Sequence, residues 1–221
     1  MTNKVKNIYY SIGVFVFIVA AFFVVTYATG YKVDLTNRNI SQMSMIVVQS
    51  DDADIKLNGL LVGSGKIVLR DLEPGEYTIN ISKEGYQDWN RTLELAPGQA
   101  GVVDDDILFK SDVTAEEYNV KESDFFTRLS DTEDLSVENN EIYQNLNFVT
   151  RLASDIKGVS WYADRRYIAY TADNQLKIIE IDGTNEITLL EKKSDTPVVF
   201  LNSGRSVVYE SDGKVYKADI R

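Results

Sequence analysis

The chain has 221 residues, 44% of them hydrophobic, and a formal net charge of −11. This acidic balance excludes the basic surface that nucleic-acid binding requires, and it argues against electrostatic attachment to an anionic membrane surface. The sequence contains neither cysteine nor histidine. It therefore excludes disulfides, thiolate or imidazole metal sites, lipidated cysteine anchors and a Ser-His-Asp triad, and we expect no cofactor.

Residues 8–29 read IYYSIGVFVFIVAAFFVVTYAT and include no charged residue. A helix of this length rises about 33 Å, which matches the ~30 Å hydrocarbon core of a bilayer. Tyr9, Tyr10 and Tyr27 lie near its ends, where amphipathic rings favour the headgroup layer. After a short tail at 1–7, the segment predicts a single transmembrane helix that acts as an uncleaved signal-anchor, a cleaved signal peptide being the alternative. We expect the N-terminus in the cytoplasm and the remaining chain outside the plasma membrane.

A juncture at 30–44 leads into short alternating runs that predict a small antiparallel β-sandwich over 45–110. The run EYTINIS places Tyr77, Ile79 and Ile81 on one face, with polar residues on the other. The run ADIKLNG stops at Asn58-Gly59, a dipeptide typical of two-residue hairpin turns. The dipeptides at 74–75 and 97–98 are both Pro-Gly and indicate two further turns.

The same stretch resembles the PEGA domain, a bacterial surface-associated β-module. The matching residues follow the order of the family pattern and are Ala53, Asn58-Gly59, Gly63, Leu72, Pro74-Gly75, Tyr77, Lys83, Gly85-Tyr86 and Trp89. The preceding YATGYKVDL at 27–35 is similar to the juncture between an anchor and a PEGA domain. The resemblance implies a bacterial membrane protein with a β-module on the cell surface.

Four aromatic residues, Tyr86, Trp89, Trp161 and Tyr162, admit two interpretations. Aromatic side chains are chiefly core builders, and core packing is the preferred interpretation of Tyr86 and Trp89. The alternative is a ligand-facing platform for a sugar or a peptide, because Tyr and Trp offer flat, amphipathic contact surfaces.

After an acidic linker at 111–123, residues 124–221 contain an internal repeat. Residues 159–182 align without gaps to residues 198–221 at an offset of 39, and an opening strand recurs as DFFTRL at 124, NFVTRL at 147 and NEITLL at 185. This period is typical of propeller blades, and the segment resembles WD-type or periplasmic-type β-propeller repeats. Three units are fewer than the four blades of the smallest rings. We therefore expect an abbreviated array, a shortened relative of longer proteins, or copies that associate.

The sequence as a whole predicts a mainly β protein: a transmembrane helix, a PEGA-like sandwich and incomplete propeller-like repeats. Asp104-Asp105-Asp106 and the acidic group Asp51, Asp52 and Asp54 match no EF-hand calcium loop, so a solvated turn or an acidic strand edge is the preferred interpretation and no metal site is expected. We expect no enzyme but a binding or scaffolding role in the cell envelope, with cell-wall glycan, a surface protein or a second copy as partner. An envelope sensor acting through a membrane partner and a carboxylate-dependent wall-polymer hydrolase are the alternatives.

Overall fold

A computed structural model describes residues 3–34, 39–104, 107–119, 126 and 130–221. The chain divides into two compact units. The first unit consists of Met1–Ile81 and Asn90–Asp106, and the second unit consists of Ser82–Trp89 and Ile107–Arg221. The short segment 82–89, which the sequence places inside the sandwich, therefore belongs with the repeats at the C-terminal end.

The first element is helix α1, Asn3–Ala28. Its stretch Ile8–Ala28 has a mean hydropathy of 2.5 and no buried part, and it is the one helix in the described residues that is long and apolar enough to cross a membrane. The Thr26 and Thr29 hydroxyls donate to the carbonyls of Phe22 (2.6 Å) and Val25 (2.7 Å). Both hydroxyls thus find partners within the helix, as a polar group in an apolar medium requires.

Seven strands follow in the described part of the first unit. One of them, β6, begins at Trp89, the last residue of segment 82–89. They are β1 Tyr31–Asp34, β2 Asn39–Gln42, β3 Ser44–Leu57, β4 Leu60–Leu72, β5 Gly75–Ser82, β6 Trp89–Leu95 and β7 Ala100–Val103. Strands β1 and β2 form a separate antiparallel pair. The others form one five-stranded sheet of order β4-β3-β5-β6, in which β7 pairs with β3 in parallel. The parallel pairing of β3 and β7 differs from the purely antiparallel module that the sequence predicts. The arrangement of the strands as a sandwich stays a prediction.

The predicted hairpin turn at Asn58-Gly59 is confirmed. It connects β3 to β4, and both residues have positive φ, 48° and 81°. Such left-handed backbone is tolerated best by Asn and Gly. The Asn58 side chain also accepts a hydrogen bond from the backbone N–H of Thr78 (2.9 Å), which links the turn to β5.

The acidic group at 51–54 lies on an irregular part of β3. The pairing register between β3 and β4 shifts between Gln49 and Asp54, and Asp52 has a φ of 52°. Before the shift Ile46 and Val48 are buried, and after it Ala53 and Ile55 are buried. The buried positions thus change from even to odd numbers, which is the effect of a β-bulge. This bulge gives Asp51 and Asp52 a structural position in the strand.

The second unit contains eleven strands within the described residues. They are β8 Ala115–Glu117, β9 Leu135–Glu138, β10 Glu141–Gln144, β11 Asn147–Arg151, β12 Lys157–Trp161, β13 Tyr167–Ala172, β14 Gln175–Glu180, β15 Ile187–Glu191, β16 Val199–Leu201, β17 Ser206–Ser211 and β18 Lys214–Asp219. They form three antiparallel sheets: a first repeat sheet β11-β10-β9, a second repeat sheet β12-β13-β14-β15, and a third repeat sheet β16-β17-β18-β8.

The offset of 39 found in the sequence maps β13 onto β17 and β14 onto β18. The turn between these strands has positive φ at both residues, Asp173-Asn174 in the second repeat sheet and Asp212-Gly213 in the third. Asn139-Asn140 has the same geometry in the first repeat sheet. Two-residue turns of this kind match the twist of the strands that they join.

The predicted opening strand at 124–129 lies outside the described residues except for Phe126. This residue has helical backbone, and its carbonyl accepts the backbone N–H of Ser130 (2.9 Å). At this one position the structure differs from the predicted strand.

The second repeat sheet is buried on both faces. One hydrophobic cluster joins it to the third repeat sheet through residues such as Tyr167, Ala169 and Val207. Another joins it to the first repeat sheet through residues such as Ile168 and Ile142. The three repeat sheets thus stack face to face, but within the described residues they form no closed ring, so the propeller interpretation stays a prediction.

Candidate functional site

Three of the four aromatic residues singled out in the sequence are buried. Trp89 is 0%, Trp161 3% and Tyr162 1% exposed. Their rings offer no surface to a ligand in solution, and their contacts are those of core side chains. Tyr86 is partly exposed and forms an isolated bridge with Lys110, so a ligand-facing role for this residue stays a prediction.

Trp89 is held by a buried carboxylate of the second unit. Its indole N–H donates to Glu180 Oε1 (2.6 Å), and the Tyr167 hydroxyl and the Asn185 amide donate to the same oxygen (3.2 and 3.0 Å). Glu180 itself is only 5% exposed. A buried carboxylate is tolerated when several hydrogen-bond donors surround it. The Trp89 indole N–H is one of the donors that take the place of water around the Glu180 carboxylate.

The rest of segment 82–89 is fixed to the second unit by backbone and side-chain hydrogen bonds. The Gln87 N–H donates to the Phe109 carbonyl (2.8 Å), and its side-chain amide donates to the Thr188 carbonyl on β15 (2.8 Å). The Ser111 N–H donates to the Gly85 carbonyl (2.9 Å). Gln87 thereby engages a carbonyl of β15, the outer strand of the second repeat sheet, and reduces the exposed hydrogen-bonding edge there.

Trp161 and Tyr162 also have structural partners. The Trp161 indole N–H donates to the Glu133 carbonyl (2.7 Å), and the Arg165 guanidinium lies 5.9 Å from its ring centre. Arg165 binds both Asp131 oxygens (2.8 and 2.9 Å), and these hydrogen bonds raise its pKa. The Tyr162 hydroxyl donates to the Gly204 carbonyl (3.0 Å), and burial raises the pKa of Tyr162.

A polar pocket, which sequence reasoning missed, opens in the second unit with a volume of about 470 Å³. Three separate segments line it: the loop before β12 with the first residue of that strand, the end of β13 with its turn, and the connection from β15 to β16. The lining residues are Ala153, Ser154, Asp155, Lys157, Thr171, Ala172, Asp173, Asn174, Lys193 and Asp195. These residues are spread over some forty positions, so no local sequence motif predicts the pocket. The recurring turn at Asp173-Asn174 is the one part of it that the sequence indicates.

Lys192 lies behind the pocket wall and is fully buried. Its ammonium donates to Thr171 Oγ1 (3.0 Å) and to the Ser194 carbonyl. Burial lowers the pKa of Lys192 to about 8, an effect that the charges of Asp195 and Glu210 oppose. A buried lysine is expensive unless its donors are satisfied, so this arrangement fixes the Thr171 hydroxyl in the pocket wall.

The acidic groups considered as oxygen ligands give no metal centre in the part of the chain that the structure describes. No three His, Cys, Asp or Glu side chains lie together there as a metal site would require. Asp51, Asp52 and Asp54 lie on β3. Asp105 and Asp106 lie outside the described residues, so the second acidic group stays untested.

Comparison with known proteins gives one family. Residues 43–105 match the family model of the PEGA domain. No curated protein sequence matches the chain. The matched stretch covers the five-stranded sheet of the first unit and also segment 82–89, which packs with the second unit. The likeness to the PEGA family thus applies to residues 43–105, which include all the residues that match the family pattern in the sequence.

Proposed function

We propose that this protein is a membrane-anchored module of the bacterial cell envelope that binds a partner without catalysing a reaction. The exposed apolar helix α1 is the observation that carries the proposal, because it continues through Gly30 and the β1-β2 pair directly into the β-rich part of the chain. The N-terminus is cytoplasmic and the β-units are extracytoplasmic in this proposal.

A membrane explains the surface of α1. Large apolar side chains are exposed along its length, for example Phe15 at 67% and Phe17 at 72%. A helix that is hydrophobic on all sides needs an apolar environment, and a lipid bilayer supplies it. Tyr9, Tyr10 and Tyr27 are exposed near the two ends, where the headgroup layers would lie.

Several ionisable groups of the second unit have structural partners, and the proposal assigns no catalytic role to them. Those with clearly shifted pKa values include Arg165, bound to Asp131, and Tyr170, which donates to Glu186. Burial, followed by the Glu186 hydrogen bond, raises the pKa of Tyr170. Both groups stabilise the stacked repeat sheets, and pairs of this kind are common structural features. The partner in the proposal is cell-wall glycan, a surface protein or a second copy of the chain.

Protease protection on intact cells tests the topology. A tag is placed after Arg221, and a cytoplasmic protein serves as the control for cell integrity. We expect external protease to remove the tag while the control survives. A tag that stays protected after any outer layer has been stripped would overturn the extracytoplasmic placement.

Co-sedimentation tests the binding role. The full chain in detergent micelles is mixed with purified wall polymer, and the pellet, the release of soluble fragments and the oligomeric state are measured together. We expect sedimentation or self-association without polymer release. Release of wall fragments that stops when a single acidic residue is replaced would instead establish the hydrolase.

A further inference from the structure

Two carboxylates on the wall of the polar pocket have no ion-pair partner within the described residues. The Lys157 ammonium lies 3.2 Å from Asp195, and Lys193 lies 2.9 Å from Asp212, so both pocket lysines already have carboxylate partners. Asp155 is exposed and has no hydrogen bond or ion pair within the described residues. Asp155 is therefore the first of the two wall carboxylates that the lysines leave unpaired.

Asp173 adds a second carboxylate without a cation. Its Oδ2 accepts the Ser154 hydroxyl (2.6 Å), and the structure gives this side chain no basic partner among the residues that it describes. Asp173 belongs to the β13–β14 turn, and Asp155 belongs to the loop before β12. The two carboxylates thus enter the same cavity from separate segments, each positioned by its own local structure.

Thr171 and Asn174 supply two further polar groups to the pocket wall. Thr171 is only 4% exposed, and its hydroxyl oxygen is held by the buried ammonium of Lys192. Asn174 follows Asp173 in the left-handed region (φ 59°), and its side-chain amide has no hydrogen-bond partner within the described part of the chain. A volume of about 470 Å³ admits a small organic molecule or a long side chain.

A primary ammonium group is the ligand chemistry that matches the polar groups of the pocket. It provides three donors and one positive charge, and the pocket offers two carboxylates without a basic partner and an amide oxygen that accepts no hydrogen bond within the described residues. An anion would face Asp155 and Asp173, because both wall lysines already have carboxylate partners and the Lys192 ammonium is buried behind the wall. An apolar ligand would leave both carboxylates desolvated. The overall charge of −11 also attracts cations to the protein.

We propose that the polar pocket binds a primary ammonium group, with Asp155 and Asp173 as its counter-ions. The group is carried either by a free small diamine or by a lysine side chain of a peptide. This inference rests on the proposed binding function, because it names the chemistry of the ligand.

Calorimetric titration of the full chain in detergent micelles tests the inference. The probes are butane-1,4-diamine for a free amine and Nα-acetyl-lysine methylamide for a peptide side chain. Butane-1,4-diol is the matched control, because it has the same chain length and no charge. We expect one molecule of an ammonium probe to bind per chain, no binding of the diol, and weaker binding as salt is added.

Two single variants locate the site. Asp155→Asn and Asp173→Asn should each weaken binding about tenfold or more, because each removes a charge-assisted hydrogen bond. Asp112→Asn is the matched control: this residue is exposed, lies outside the pocket, and loses the same charge. Asn tolerates the positive φ of position 173 (52°), so the turn should persist, which thermal unfolding of each variant verifies.

Each outcome decides the proposal. Binding of the diamine alone assigns a free amine, and binding of the lysine derivative alone or of both probes assigns a side chain that reaches the pocket. Failure of both probes, equal binding of the diol, or full affinity in both pocket variants overturns it. The co-sedimentation assay is run beside the titration of the unmodified chain: wall binding or self-association by a chain that binds neither ammonium probe would refute the pocket and leave the proposed function standing.

Discussion

Replacing Trp89 by phenylalanine tests whether the segment 82–89 stabilises the repeats through Glu180. The change removes the indole N–H that donates to a buried carboxylate oxygen at 2.6 Å. A hydrogen bond to a charged group contributes about 1.5–3 kcal/mol. The smaller ring loses about 1 kcal/mol more of apolar burial. The free energy of unfolding should therefore fall by about 2.5–4 kcal/mol.

Trp161→Phe is the matched control. Trp161 is similarly buried, 3% against 0%, but its indole N–H donates to a neutral acceptor, the Glu133 carbonyl (2.7 Å). A neutral hydrogen bond contributes only about 0.5–1.5 kcal/mol, so this variant should lose about 1.5–2.5 kcal/mol in total. The acceptor charge, rather than the lost ring, thus accounts for the expected difference of about 1 kcal/mol or more.

Urea unfolding of the full chain in detergent micelles, followed by tyrosine and tryptophan fluorescence, measures both variants. Adding Glu180→Gln to each background completes a double-mutant cycle. We expect a coupling energy of about 1 kcal/mol or more between positions 89 and 180, and none between 161 and 180. Equal stability losses in the two tryptophan variants, or absence of coupling at 89, would refute the role assigned to Glu180.

Gly204→Ala should lower stability by about 2–3 kcal/mol in the same assay, because a Cβ at φ 83° would overlap the Tyr162 ring. Gly213→Ala, at φ 75° with no neighbour within 4 Å, should cost only about 1 kcal/mol, and equal losses would contradict the contact. Lys192→Met should change the pH dependence of unfolding. The folded-state pKa of Lys192, about 8, lies below its unfolded value, so the unfolded chain binds more protons and wild-type stability should rise with pH above 8. This rise should be absent from the variant; parallel stability curves between pH 8 and 9.5 would show that the lysine is not perturbed.

The local features of the fold could be predicted because each depends on a few adjacent residues. The Asn58-Gly59 turn follows from the left-handed backbone that these two residues tolerate. The buried face of Ile79 and Ile81 follows from the two-residue period of a strand. The offset of 39 predicts which strands correspond in the second and third repeat sheets.

The long-range features could not be predicted, because no local pattern encodes them. Strand β8, Ala115–Glu117, is fully exposed and has no hydrophobic alternation, and the sequence places it in an acidic linker. Its strand character depends on pairing with β18 far along the chain. Trp89 fits the PEGA pattern, yet its hydrogen-bonding partner is Glu180, 91 positions away. The polar pocket likewise requires three segments that only the tertiary fold brings together.

The pairing of β8 with β18 has a consequence for the order in which the second unit forms. Glu117 pairs with Tyr216, and Lys214 lies 3.1 Å from the Glu117 carboxylate, so the outer strand precedes its partner by 99 positions (216 − 117). At a synthesis rate of about 5–20 residues per second, β8 waits roughly 5–20 seconds for β18. During that interval its backbone groups are unpaired, and loop closure over such a distance is slow. The third repeat sheet is therefore the last to be completed, and nascent chains stalled before residue 214 should be the most sensitive to proteolysis near residue 115.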